Sequence, residues 1–157
     1  MAVIQAHQNL RAFLDMIAWG EGTDNGRQPT ENSGYDVIVG GSLFTDYSKH
    51  PNKLIAFPKL GISSTAAGRY QLLYRYWVAY CKTLKLSDFE PISQDKIAIQ
   101  QIRERKAIPA IESGDLPAAI ALCKNIWASF PGAGYGQHEQ PYDTMKAAYL
   151  LAGGNLK

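Results

Sequence analysis

A glutamate held between two glycines at the end of an amphipathic stretch is the residue of this chain best placed to move a proton. Within LRAFLDMIAWGE, Leu10, Phe13, Leu14, Ile17 and Ala18 recur at the spacing of one helix face. Glu21 stands eleven residues after Leu10, which is about 20° past three full helical turns, so it projects from the side of the apolar stripe. Withdrawal from water raises a carboxyl pKa there, and the negative end of the helix dipole pushes the same way. The result would be a carboxylic acid ready to release a proton near neutral pH. The same position also suits an ordinary helix-end glutamate that fringes the core and reaches water. Spacing leaves both readings standing.

Other chemistries have weaker support. Glycoside hydrolysis ordinarily takes two carboxylates. The candidates for a partner of Glu21 are Asp24, Glu31, Asp36 and Asp46, and spacing selects none of them. His7, His50 and His138 lie far apart with no pair at metal-ligand spacing, so no metal site and no cofactor is expected. Cys81 and Cys123 sit in apolar helical stretches and read as buried free thiols, a poor setting for a nucleophile. PGAGYG has the wrong glycine spacing for a nucleotide fingerprint. It reads either as a tight connector or as backbone that a ligand approaches closely, with the Tyr135 ring for stacking.

The elements that must position these residues follow from composition and pattern. The chain has 157 residues, 46% apolar and 19% charged, which suits one globular domain over 1–157. A formal charge of +2 favours an anionic polymer as partner but lacks the basic footprint of a nucleic-acid binder. No stretch approaches the roughly 20 apolar residues of a membrane span. The opening MAVIQAHQNLRAFLDMIAW has no early basic region and no uninterrupted apolar run, so synthesis in the cytoplasm without a signal peptide is expected. Behind Glu21, GTDNGRQPTENSG is a turn-rich candidate cleft wall. YDVIVGG predicts a strand over 35–41, SLFTDYS its antiparallel partner, and AGRYQLL a third strand; KHPNKLIAFPKLGISST reads as loop with at most a short helical turn. Residues 23–72 thus form a small β lobe. Helices are predicted over 72–84, from a Ser93 cap through SQDKIAIQQIRERK, briefly after Pro109, from an Asp115 cap to about Ser129, and after Pro141. The fold class is α+β: a mainly helical body with a small antiparallel β lobe and a cleft between them.

AFLDMIAWGEGTDNGRQ, GYDVIVGG followed by LFTDYS, AGRYQLL, SQDKIAIQQI and NIWASFPGAGYGQ together resemble the endolysins of bacteriophage lambda and its prophage relatives, in register from about Ala12 to Gln137. The resemblance implies a lysozyme-like fold and a lytic transglycosylase acting on peptidoglycan glycan strands. Such an enzyme cuts the β-1,4 bond from N-acetylmuramic acid to N-acetylglucosamine and leaves a 1,6-anhydro ring. The essential acid of that family maps onto Glu21. Its sugar-contacting positions map onto Asp36, Arg69, Tyr70 and Gln71, and onto Tyr135 and Gln137. The nucleophile would be the muramic-acid 6-hydroxyl, so a second carboxylate is not required. Hydrolysing phage lysozymes carry Glu, eight residues, Asp, five residues, Thr; counted from Glu21 those positions hold Thr30 and Asp36, so that pattern is absent. The resemblance further implies a monomer without cofactor that reaches the periplasmic wall through a holin lesion. The competing expectations are a hydrolysing muramidase that uses Asp36 or another carboxylate, and a non-catalytic glycan-binding module.

Overall fold

The computed structural model describes residues 1–136 and 138–157. Its first helix, α1 (Gln8–Glu21), runs through the centre of the molecule. The His7 side chain accepts a hydrogen bond from the Asn9 N–H at its start, and Gly22, at φ 78°, closes its end in the left-handed conformation. The expected stripe of Leu10, Phe13, Leu14, Ile17 and Ala18 is buried, and so are Ala12, Met16 and Gly20 on other faces. An amphipathic surface helix shows one apolar face, whereas α1 is packed around most of its girth.

Helix α6 (Tyr142–Leu151) packs on α1, as does the short helix α4 (Ile108–Glu112), against which α5 (Leu116–Cys123) packs in turn. Asp115 caps α5 as the sequence predicts, accepting from the Ala118 N–H at 3.2 Å. That helix stops at Cys123, short of the expected Ser129, and the chain folds into a turn in which Phe130 donates its N–H to the Trp127 carbonyl. Phe130 meets Phe13 edge-on at 6.0 Å and Trp127 at 5.6 Å, tying this turn to α1. Helix α3 (Pro91–Glu104) starts before the predicted cap; Ser93 lies inside it and donates to Asp88. Cys123 is buried and Cys81 only partly so, which corrects the expectation for Cys81.

The lobe has its sheet in another place than the sequence predicts. The two paired strands are β1 (Ile55–Phe57) and β2 (Ile62–Ser64), in the segment read as loop. They pair antiparallel, Ile55 with Ser64 and Phe57 with Ile62, around a 3₁₀ turn at Pro58–Leu60. The three predicted strands leave only single bridges, Val37 to Leu43, Ile38 to Ala67 and Ala67 to Leu72. Gly40 and Gly41, at φ 91° and 109°, reverse the chain immediately after Val39, and Gln71 at φ 52° turns the third segment back on itself. No ladder has room to extend between such bends. Ile38, Phe44, Ala67 and Leu72 instead form a second apolar cluster with Phe89 and Ile97, against which Trp77 and Tyr80 of α2 (Tyr74–Leu84) also pack. Among the described residues no helix is long and apolar enough to cross a membrane.

Candidate active site

Glu21 is the last residue of α1. Its side chain is half-buried, and its Oε1 accepts a hydrogen bond from Ser129 Oγ at 2.7 Å. Burial raises the Glu21 carboxyl from an ordinary 4.5 to about 7, while hydrogen bonds from the Ser129 hydroxyl and backbone pull it back down. Spacing along α1 leaves two readings of this carboxyl, and the rise caused by burial agrees with the one in which it is withdrawn from water. Gly20 lets the turn approach. A Cβ at that position would lie 3.0 Å from Met145 Sδ and 3.2 Å from Ser129 Oγ.

The loop behind Glu21 is fastened to the rest of the molecule. Thr23 is buried, and its hydroxyl donates to the Arg69 carbonyl at 2.6 Å and lies 3.2 Å from the Ala18 carbonyl. The Arg69 guanidinium is 1% exposed. It donates to Asp15 on α1 at 2.7 Å, to Asp24 on the loop at 2.6 Å and to the Ser33 carbonyl. It also lies over the Tyr35 and Tyr70 rings, 5.3 and 5.9 Å from their centres. Gly34 passes so close to Thr23 that a Cβ would lie 2.8 Å from its carbonyl oxygen, and its φ of 83° would strain any other residue independently.

Beneath this clamp is Asp95, fully buried on α3. One carboxylate oxygen accepts from the Tyr35 and Tyr70 hydroxyls at 2.7 and 2.6 Å, and the other from the Val3 and Ile4 N–H groups, both at 2.9 Å. Burial holds both tyrosine hydroxyls above their usual range, and the neighbouring Asp95 charge adds to it.

The other positions named from the resemblance divide into two groups. Asp36 and Tyr70, each 4% exposed, are buried with Arg69. Asp36 accepts from Thr30 Oγ1 at 2.5 Å and from the Glu31 N–H at 2.9 Å, so both its oxygens are engaged by its own loop. Gln71 and Tyr135 line a groove of about 380 Å³ together with Tyr76, Tyr80, Asn125 and Trp127, and Tyr70 also reaches its lining. Tyr135 is 53% exposed and donates its hydroxyl to the Asn125 carbonyl, leaving its ring open to the groove. Gln137 lies outside the described residues. The groove runs to Ala128, next in the chain to the Ser129 that holds Glu21, though Glu21 itself is not part of its lining. Among the described residues no cluster of three or more histidine, cysteine or carboxylate side chains is arranged to hold a metal ion.

Sequence reasoning misses Ser129, Thr23, Asp15 and Asp95. Ser129 lies 108 residues from Glu21 and has no local signature. Thr23 and Asp95 read as turn and first-turn residues; only the tertiary fold gives them partners.

A family model described as Endolysin matches residues 11–156. The chain is 59% identical over 156 residues to the endolysin of Escherichia phage lambda, an alignment covering 99% of this chain and 98% of that one. It is 51% identical over 163 residues to the endolysin of Escherichia phage P2, covering 98% of each. The solved structure of bacteriophage lambda lysozyme complexed with a chitohexasaccharide superposes with a TM-score of 0.95 at 58% identity, over 99% of this chain and all of that one.

Proposed function

This chain belongs to the endolysin family, and on that premise we propose that it is a lytic transglycosylase in which Glu21 is the only obligatory carboxyl group. Family membership makes it a cell-wall lytic enzyme of the lysozyme type. Its proposed substrate is the peptidoglycan glycan strand, supported by the chitohexasaccharide carried by the lambda lysozyme structure. The scissile bond is that from N-acetylmuramic acid to N-acetylglucosamine.

The observation that carries the reading is the state of Glu21. With a carboxyl raised to about 7, a large share is protonated at neutral pH and available as a general acid. It gives its proton to the glycosidic oxygen as the C1–oxygen bond breaks. The muramic-acid 6-hydroxyl then bonds to C1, and its proton returns to the Glu21 carboxylate. Atoms balance with no water consumed. Because the nucleophile belongs to the sugar whose C1 is attacked, no water has to be held and activated. The engagement of both Asp36 oxygens within its loop fits a site that uses one carboxyl group. Gln71 and Tyr135 are the proposed sugar contacts on the groove, Tyr70 lies in its lining, and Asp36 and Arg69 hold the loop and lobe in place. The enzyme acts as a monomer, made in the host cytoplasm and released to the wall through a holin lesion.

Mass spectrometry of digested wall tests the reaction. Muropeptides with 1,6-anhydro ends are expected; products heavier by one water, with reducing ends, would establish hydrolysis instead.

A further inference from the structure

Ser129 is 6% exposed, hydrogen-bonded to Glu21, and not among the residues to which the resemblance gives a role. We propose that Ser129 is a positioning residue for the reaction, fixing the Glu21 carboxyl so that Oε2 is the oxygen that delivers the catalytic proton. The inference rests on Glu21 being the acid.

Three observations support it. First, among the described residues the Ser129 hydroxyl has one acceptor, Glu21 Oε1, so Ser129 is the donor in that bond. An oxygen that accepts this hydrogen bond is the poorer place for the acid's own proton, which leaves Oε2 to carry it. Second, Ser129 is held from several sides. Its carbonyl accepts from the Gln140 N–H at 2.7 Å, and the adjoining turn is packed by Phe130 on Phe13. Trp127 in the same turn donates its indole N–H to the Tyr70 carbonyl at 3.1 Å. A hydroxyl on so fixed a turn restricts the carboxyl's rotation about its own axis, which an isolated glutamate side chain leaves free. Third, Ser129 is the protein's local brake on the rise in proton affinity that burial gives this group. The charged groups on the flanking elements are Asp24, Arg27 and Glu31 on the loop, Lys124 at the end of α5, Glu139 before α6, and Asp143 and Lys146 on it. None of them enters the balance that sets the Glu21 carboxyl; burial and Ser129 do.

Ser129 thus has two effects. It orients the acid before proton transfer, and it stabilises the carboxylate that remains afterwards and receives the 6-hydroxyl proton. A residue that only filled space would have neither.

The test is the pH profile of wall clearing for Ser129→Ala beside the parent, with Ser129→Thr as the conservative variant. A hydrogen bond to a charged carboxylate corresponds to about one pH unit or more. The alkaline limb of Ser129→Ala is therefore expected about one unit higher than the parent's, with a lower maximal rate. Ser129→Thr, which keeps the hydroxyl, should return the limb toward the parent position. The carboxyl titration of Glu21, followed by ¹³C NMR in the folded proteins, should move upward by the same amount without reference to activity. An unchanged titration and an unchanged limb in Ser129→Ala would overturn the inference while leaving Glu21 as the acid. Undiminished clearing by Glu21→Gln would instead overturn the catalytic reading on which it rests.

Discussion

Asp95 is fully buried and Glu21 half-buried, and the protein surrounds them in opposite ways. Asp95 accepts four hydrogen bonds, two from tyrosine hydroxyls and two from backbone N–H groups. Glu21 has one side-chain donor, Ser129, on one of its two oxygens. A buried carboxylate with every oxygen engaged serves as a fastening point, joining the N-terminal segment, the lobe and α3. One whose donors come from a single residue, Ser129, keeps most of its desolvation cost, and its pKa rises to about 7. The comparison teaches that the number of donors supplied, more than burial alone, separates Asp95, a structural carboxyl group, from Glu21, the proposed acid.

The largest effect should come from Glu21. Replacing it with Gln is expected to lower wall clearing by about 10²- to 10⁴-fold, the usual contribution of a positioned acid. Its effect on stability depends on pH, and the sign follows from the raised carboxyl. The folded protein binds this proton more tightly than the unfolded chain, so the group's contribution to stability is full below about 4.5 and is lost as pH rises through about 7. Glu21→Gln should therefore melt like the parent at pH 4.5 and be more stable at pH 8, by at most about 3 kcal/mol. Equal melting temperatures at both pH values would mean that Glu21 is better hydrated than its position implies.

Asp95→Ala should do the reverse. It leaves two tyrosine hydroxyls and two backbone N–H groups unpaired in the interior, at a cost of about 3 to 5 kcal/mol. For a chain of this size that is a fall in melting temperature of about 10 °C, read by calorimetry. Activity measured well below the transition should survive in the folded fraction. An Asp95→Ala protein that keeps its stability would erase the contrast between the two carboxyl groups.

The smallest effect belongs to the groove. Tyr135→Ala removes an exposed ring, so the fold should hold, while glycan affinity, followed by titration with a chitooligosaccharide, weakens by about 1 kcal/mol or somewhat more. Unchanged affinity would remove Tyr135 from the binding surface.

How far the sequence reveals these two regions differs for a physical reason. Glu21 is legible because its placement is local: helical periodicity and two flanking glycines put it on the apolar side of α1, and the surrounding string carries a family resemblance. The helix boundaries are legible where caps are local as well, as at Asp115. Asp95 reads only as a residue early in a helix, since its donors come from Val3, Ile4, Tyr35 and Tyr70, in three distant segments. Ser129 is hidden for the same reason. The lobe misleads because β-branched residues in YDVIVGG favour a strand locally, while Gly40 and Gly41 bend the chain before a ladder forms. The sheet forms instead at Ile55–Phe57 and Ile62–Ser64, where a 3₁₀ turn and Gly61 at φ 64° bring two short segments face to face.

The central claim is that one carboxyl group and the substrate's own hydroxyl are sufficient for cleavage. Digestion of purified peptidoglycan in H₂¹⁸O tests it most directly. The account predicts 1,6-anhydro products that carry no ¹⁸O. Reducing-end products with one ¹⁸O on each new muramic-acid C1 would contradict it, placing a water molecule, and a group that activates it, in the site.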